Sequence, residues 1–229
     1  MMRRDDDILP LNLRDHGAQL YRGAAINDLT GLLAAISSLP DERAGVRLNG
    51  LGGLDCFLTP KGSIGSIAAG ALGSASRPVR AILFDKTAAT NWSLAWHQDR
   101  TIAVRERIDV DRFGPWTVKG GMLHVAPPFD LLKRMVTLRV HLDDVPATNA
   151  PLLIAPGSHR DGRIPVDAIN DTVRQRGILR CIAKAGDIWL YATPILHASE
   201  IAAVPARRRV LQLDFAAEDL PGGLEWLGI

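Results

Sequence analysis

The stretch "RMVTLRVHLDD" (Arg134–Asp144) decides the fold class. From Val136 to Leu142 it alternates without a break. Val136, Leu138, Val140 and Leu142 fall on one side, and Thr137, Arg139 and His141 on the other. Successive side chains of a strand point to opposite faces, so this period of two predicts a β-strand with one apolar face. The alternation leaves open whether Arg139 and His141 face solvent or the interior of a barrel.

Similar runs lie on both sides of it. Upstream, "RPVRAILFDK" (from Arg77) reads as a strand, and "WSLAWHQDRTIAVRERI" (from Trp92) as one long or two short strands. Downstream, "PLLIAPGSH", "GDIWLYATPILHAS" with strands on either side of Pro194, and "RRRVLQLDFA" continue the series. Two helical inserts interrupt it, "PPFDLLKRM" and "VDAINDTVRQRG". Residues 1–76 read as a mostly helical support for a β core over 77–216. In "NDLTGLLAAISSLP", Asn27 or Asp28 is the expected cap, Leu29, Leu32, Leu33 and Ile36 recur at helical spacing, and Pro40 is the stop. "GSIGSIAAGALG" (from Gly62) reads as a second helix. Many short strands after a helical lead-in predict one domain over 1–229, mainly β with flanking helices, of jelly-roll or barrel type. The segment from Ile108 to Pro128, rich in Gly and Pro, reads as a long functional loop.

The bulk properties exclude several classes. With 229 residues, 47 % hydrophobic, the chain can build a sizeable core. A net charge of +2 gives no ground for nucleic-acid binding. No apolar run reaches the roughly 18 residues of a membrane span. The start "MMRRDDDILP" lacks the apolar stretch of a signal peptide. Cys56 and Cys181 read as free thiols, so the expectation is a soluble cytoplasmic protein.

The chemistry is concentrated in "WHQD". On a strand, residues two apart share a face, so His97 and Asp99 converge while Gln98 points away. A metal needs a further ligand, and His197 in "PILHASE", directly after an apolar strand, is the strongest of the remaining histidines. Two histidines and a carboxylate on one face leave open positions for a cosubstrate and O2, the pattern of non-haem Fe(II) oxygenases. A dicarboxylate cosubstrate such as 2-oxoglutarate needs a fixed cation, which arginine supplies best through its fork. "ARRRVLQLDF" offers Arg207, Arg208 and Arg209. Alternation puts Arg208 with Gln212, and Arg207 and Arg209 with Leu211 and Leu213, without saying which face lines the site.

Four pieces in this order, "WHQD", "LDDVPATNAPLLIAPGSHR", "GDIWLYATPILHAS" and "RRRVLQLDF", resemble the phytanoyl-CoA dioxygenase family of Fe(II)/2-oxoglutarate oxygenases. The likeness spans roughly Pro78 to Phe215 and is weak before Arg77 and from Ile108 to Pro128. It implies a double-stranded β-helix (a cupin-like jelly roll). It implies His97, Asp99 and His197 as the iron ligands and catalytic centre. It implies Arg208, eleven residues after His197, as the anchor of 2-oxoglutarate and Ser199 as its helper. The presence of Asp99 favours hydroxylation over halogenation.

Around this centre, Arg139 is a further cosubstrate candidate. Lys86 is another, its alternative being a plain strand-end lysine. Trp116, Lys119 and His124 read as a lid, their alternative being an ordinary surface loop. Ser158 and His159, after the Pro-Gly turn, read as loop-stabilising. The activity expected is oxidation of a small molecule with release of succinate and CO2. The rival readings are a non-catalytic jelly-roll binding module and a cupin-like hydrolase or isomerase. Arg105, Arg107, Arg112 and Lys119 hint at an acidic substrate, against the reading of a solvated basic face.

Overall fold

The computed structural model describes residues 11–40 and 45–229; the N-terminal decapeptide read above lies outside them. The strands in chain order are β1 (Ala18–Tyr21), β2 (Val46–Leu48), β3 (Arg77–Lys86), β4 (Leu94–His97), β5 (Ile102–Ala103), β6 (Trp116–Lys119), β7 (Met122–Val125), β8 (Val136–His141), β9 (Leu152–Ile154), β10 (Leu179–Cys181), β11 (Ile188–Ala192), β12 (His197–Ser199) and β13 (Arg208–Ala216). The helices are α1 (Leu13–His16), α2 (Leu29–Ala35), α3 (Asp55–Leu58), α4 (Gly65–Leu72), α5 (Phe129–Lys133) and α6 (Ile169–Arg176).

Two antiparallel sheets carry the jelly roll. The major sheet runs β1-β11-β8-β13-β3-β2 and the minor one β10-β9-β12-β4, with β5-β7-β6 as a third. The alternation of 136–142 now has a physical meaning on both sides. Leu138 and Val140 join Ala81, Leu83, Ile188, Leu190, Leu211 and Leu213 in an apolar cluster. That cluster is closed by Leu32 and Ile36 of the α2 region and by Leu58, Ile64 and Ala68 around α4. Burying each such side chain stabilises by about 1.5–3 kcal/mol, so the helical layer is held to this face. The other face carries Arg80, Lys86, Thr137, Arg139, Arg208, Gln212 and Asp214, all buried as well. The polar face is therefore the interior of the roll, not a solvent surface.

Local structure departs from the sequence reading at several places. The N-terminal part is not only helical support, because β1 and β2 form both edges of the major sheet. Strands of three or four residues are too short for periodicity to report. Asp28 sits at the N-cap of α2 but makes no side-chain cap bond, because the chain enters through a 3-10 turn at Ile26–Asp28. The segment 108–128 is not a loop throughout. It contains the hairpin β6–β7, with Lys119 paired to Met122 across Gly120 and Gly121. Both glycines have positive φ (57° and 78°), as a two-residue hairpin turn of the mirror-image type requires. The run from Trp92 splits into two short strands, β4 and β5. In β3, Pro78 lies beside a register shift opposite Asp214 and Phe215, where its missing N–H is tolerated. Among the described residues no helix is long and apolar enough to cross a membrane.

Candidate metal centre and its cavity

β4 and β12 are antiparallel neighbours, and His97 and His197 are direct partners across them. Their ring centroids lie 4.2 Å apart. His97 Nδ1 donates to the Ala95 carbonyl (2.8 Å) and His197 Nδ1 to the Ile195 carbonyl (3.0 Å). A carbonyl can only accept, so each Nδ1 carries a proton, and in the neutral ring Nε2 is the atom left to bind a metal. Burial and the neighbouring His97 push His197 down to about 4, so it is neutral near pH 7.

Asp99 completes the group: one potential ligand atom from each of His97, Asp99 and His197 lies within 4.8 Å of the others. Strand geometry is not what brings it there, since β4 ends at His97. Gln98 does this instead. Its Nε2 donates to the carbonyls of Gly162 (2.9 Å) and Pro194 (2.8 Å), and its Oε1 accepts the Ile164 N–H (2.9 Å). With Gln98 turned inward and stapled, Asp99 emerges on the side of His97. Arg80 holds the Asp99 carboxylate, Nη2 to Oδ2 at 3.2 Å, and donates through Nε to Asp214 Oδ2 at 2.5 Å. Asp214 in turn accepts from Thr137 Oγ1 (3.0 Å). Burial pushes the Asp99 carboxyl up, but Arg80, His197 and His97 outweigh it and hold it below the ordinary carboxylate range.

His97, Gln98, Asp99, His197 and Arg80 line a cavity of about 460 Å³. Lys86, Arg139 and Arg208 also line it, and all three are buried. Arg208 and Lys86 are partners across β13 and β3, and Arg139 and Gln212 across β8 and β13. Lys86 Nζ donates to the Ser199 hydroxyl (3.0 Å) and the Trp92 carbonyl (2.6 Å). Arg139 Nη1 donates to Gln212 Oε1 (2.8 Å), and Arg208 Nη1 to the Ala150 carbonyl. Among the described residues none of the three has a carboxylate partner. The Nε atoms of Arg139 and Arg208 are buried without a hydrogen bond. Burial and the charge of Arg139 lower Arg208 to about 9; burial, Arg208 and Arg139 lower Lys86 to about 8. The charge of such a cluster is one that a dianion would offset.

The lid residues separate. Lys119 lines the cavity, but Trp116 and His124 do not. Trp116 packs in an apolar cluster with Val104 and Val125, and Arg107 stacks on its ring. His124 is fully buried, its Nδ1 donating to the Met122 carbonyl (2.9 Å). Ser158 accepts the Leu196 N–H (2.9 Å), beside His197. Arg105 and Arg107 pair with Glu225 and Asp109 at the surface. Sequence reading missed Arg80, Asp214 and Gln98, whose partners are distant in the chain, and Arg47, which reaches the cavity from β2.

The donor set suits ferrous iron: two imidazoles held through Nδ1 by carbonyls and one ionised carboxylate, beside a cluster of unneutralised cations. A jelly roll built around such a group defines the class of non-haem iron oxygenases. The chain belongs to the phytanoyl-CoA dioxygenase family, whose sequence profile matches residues 66–210, and is with that family a 2-oxoglutarate-dependent oxygenase. No curated protein matches it in sequence. Among solved structures it is similar to EctD from S. alaskensis in its apoform, at 16 % identity and a TM-score of 0.65, over 99 % of this chain and 84 % of that one. It is similar to AviO1 from Streptomyces viridochromogenes Tue57, at 20 % identity and a TM-score of 0.59, over 92 % and 94 %. HygX from Streptomyces hygroscopicus, with nickel and 2-oxoglutarate bound, shares 14 % identity at a TM-score of 0.59, over 89 % and 84 %. At these identities the likeness establishes the fold.

Proposed function

We propose that the chain hydroxylates a small organic substrate, consuming 2-oxoglutarate and O2 and releasing succinate and CO2. In this reading His97, Asp99 and His197 hold Fe(II). Arg208 anchors the distal carboxylate of 2-oxoglutarate, with Lys86, Ser199 and Arg139 around it. The whole chain acts as one catalytic domain, and its two free thiols suit a reducing compartment such as the cytoplasm.

The observation that supports this reading is a single cavity. It joins three convergent metal donors to three buried cations that lack carboxylate partners. When bound, the ferrous ion activates O2 together with the chelated 2-oxo acid and so supplies the oxidant. The protein's own part is positional. The Ala95 and Ile195 carbonyls fix the imidazole tautomers. Arg80 occupies one oxygen of Asp99 and keeps the carboxylate ionised. The cations offset the two charges of the cosubstrate, and Ile82, Phe84, Leu94 and Leu152 give walls that exclude water.

Anaerobic addition of Fe(II) and 2-oxoglutarate is expected to produce the weak visible charge-transfer band of the chelate. Succinate release is expected to require Fe(II) and to be lost in Asp99→Ala. Full turnover by Asp99→Ala, or no band in the wild type, would show the assignment to be wrong.

A further inference from the structure

The cations of the cavity form two groups. Lys86, Arg139 and Arg208 suffice for a dicarboxylate. Arg47, Arg80, Arg100 and Lys119 line the cavity as well, while Asp99 is the single acidic residue among the described residues that line it. Two of these four are engaged. Arg80 binds Asp214 and Asp99, and Arg100 donates to the Ile164 carbonyl at 2.5 Å. Arg47 and Lys119 have no carboxylate partner among the described residues.

These two come from different elements and meet at the tip of the β6–β7 hairpin. Lys119 is the last residue of β6. Arg47, on β2, lies against the next residue: a Cβ on Gly120 would sit 3.5 Å from its Cδ and Nη1. Arg47 Nε is shut off from solvent and has no hydrogen-bond partner among the described residues. Lys119 Nζ donates only to a neutral group, Thr101 Oγ1, at 2.8 Å. Burial and the charge of Arg80 lower both from their ordinary values, and Arg47 also lowers Lys119. Asp99 opposes the shift in both but is itself engaged by Arg80, so the two like charges remain only partly offset in the free protein, and a bound anion would offset them further.

The cosubstrate does not account for them. Arg47 is the partner of Ile82, four residues along β3 from Lys86. At a rise of about 3.3 Å per residue that is roughly 13 Å of strand from Lys86 and its partner Arg208. Arg139, on the rung of Ile82 through Gln212, is three strands away from Arg47, about 14 Å, so the two cation groups lie apart. Ile82 and Phe84 form an apolar wall between them.

We propose that Arg47 and Lys119 recognise an anionic group, a carboxylate or a phosphate, on the primary substrate, which is therefore a small organic anion held beside His97, Asp99 and His197. This rests on the oxygenase reading above. The test uses the anaerobic protein saturated with Fe(II) and 2-oxoglutarate, titrated calorimetrically with hexanoate, hexyl phosphate and 1-hexanol as size-matched probes. At least one anion is expected to bind tenfold or more tightly than the alcohol, and which one does so separates carboxylate from phosphate. Arg47→Gln and Lys119→Gln should each weaken that anion by roughly ten- to a hundredfold, the value of one charge-assisted hydrogen bond. Arg47→Lys should retain most of it, and hexanol should be indifferent to all three. A complex that forms the charge-transfer band but prefers neither anion, including one that binds nothing, overturns the anion site alone. So does an anion preference that survives both Gln variants. A wild type that forms no band overturns the oxygenase reading and this site with it.

Discussion

Arg80 stands between two carboxylates, 2.5 Å from Asp214 Oδ2 and 3.2 Å from Asp99 Oδ2. It is buried on β3, and Asp214 faces it from β13. The pair with Asp214 fixes the guanidinium, and the guanidinium fixes the Asp99 carboxylate.

Removing Arg80 leaves Asp214 buried and unpaired, so Arg80→Met should cost about 3–5 kcal/mol in urea unfolding. The double variant Arg80→Met/Asp214→Leu removes both charges and should recover most of that stability. Fe(II) affinity should stay lowered by about ten- to a hundredfold in both, the usual effect of losing a group that orients a ligand. Affinity that recovers with stability in the double variant would reduce Arg80 to a structural role.

Gln98 gives a second positional prediction. Gln98→Leu would leave the Ile164 N–H and the Gly162 and Pro194 carbonyls without their partner. Each group left unsatisfied costs about 1–3 kcal/mol. Gln98→Glu should be worse at neutral pH, because an ionised carboxylate would face two carbonyls that need a donor. Stability of Gln98→Glu is therefore expected to improve relative to Gln98→Leu as pH falls toward 5. Equal denaturation midpoints for the two at every pH would contradict the staple.

Much of this was legible in the sequence, and the rest was hidden for definite reasons. The alternation in 136–142 predicted the strand and its two faces. It could not orient them, because the inside of this roll is as polar as a solvent face, and Arg139 and His141 point inward. The His97–Asp99 spacing suggested a shared face by strand geometry. The chain achieves it with a stapled Gln98 beyond the strand end. The β6–β7 hairpin did carry a signal, the Gly120–Gly121 pair between "TVK" and "MLHV", which reading the segment as a loop passed over. Arg80 and Asp214, 134 residues apart, pair only through the β3–β13 register, and nothing local announces them. The basic residues that hinted at an acidic substrate were mostly misleading, since Arg105 and Arg107 pair at the surface and only Lys119 reaches the cavity.

His141 makes acid stability testable. It is fully buried, and neither ring nitrogen has a partner among the described residues. Burial, with Arg139 and Arg208 nearby, lowers it to about 3. The unfolded chain, with a histidine near 6.5, takes up a proton that the folded state refuses. The stability due to a neutral His141 is thus complete above pH 6.5 and is lost progressively as pH falls toward 3. By linkage the loss should be about 2 kcal/mol between pH 7 and 5. His141→Leu should flatten that part of the stability profile measured by denaturant unfolding. An unchanged slope would mean that His141 is not held neutral.

Arg208 predicts how the cosubstrate and stability are coupled. Arg208, Arg139 and Lys86 repel one another in the free protein, and a dicarboxylate should relieve that repulsion. At a hundredfold excess over its dissociation constant, 2-oxoglutarate should stabilise the Fe(II) protein by about 2.7 kcal/mol. 2-Oxobutyrate, which keeps the 2-oxo acid but lacks the distal carboxylate, should raise the melting temperature much less. Arg208→Gln should weaken 2-oxoglutarate by at least roughly tenfold, since a buried charge-assisted pair is replaced by a neutral contact. It should also raise the intrinsic stability of the ligand-free protein, because one of three crowded cations is gone. An Arg208→Gln protein that is less stable without ligand, yet binds 2-oxoglutarate normally, would assign Arg208 to packing against the Ala150 carbonyl and move the anchor to Lys86 and Arg139.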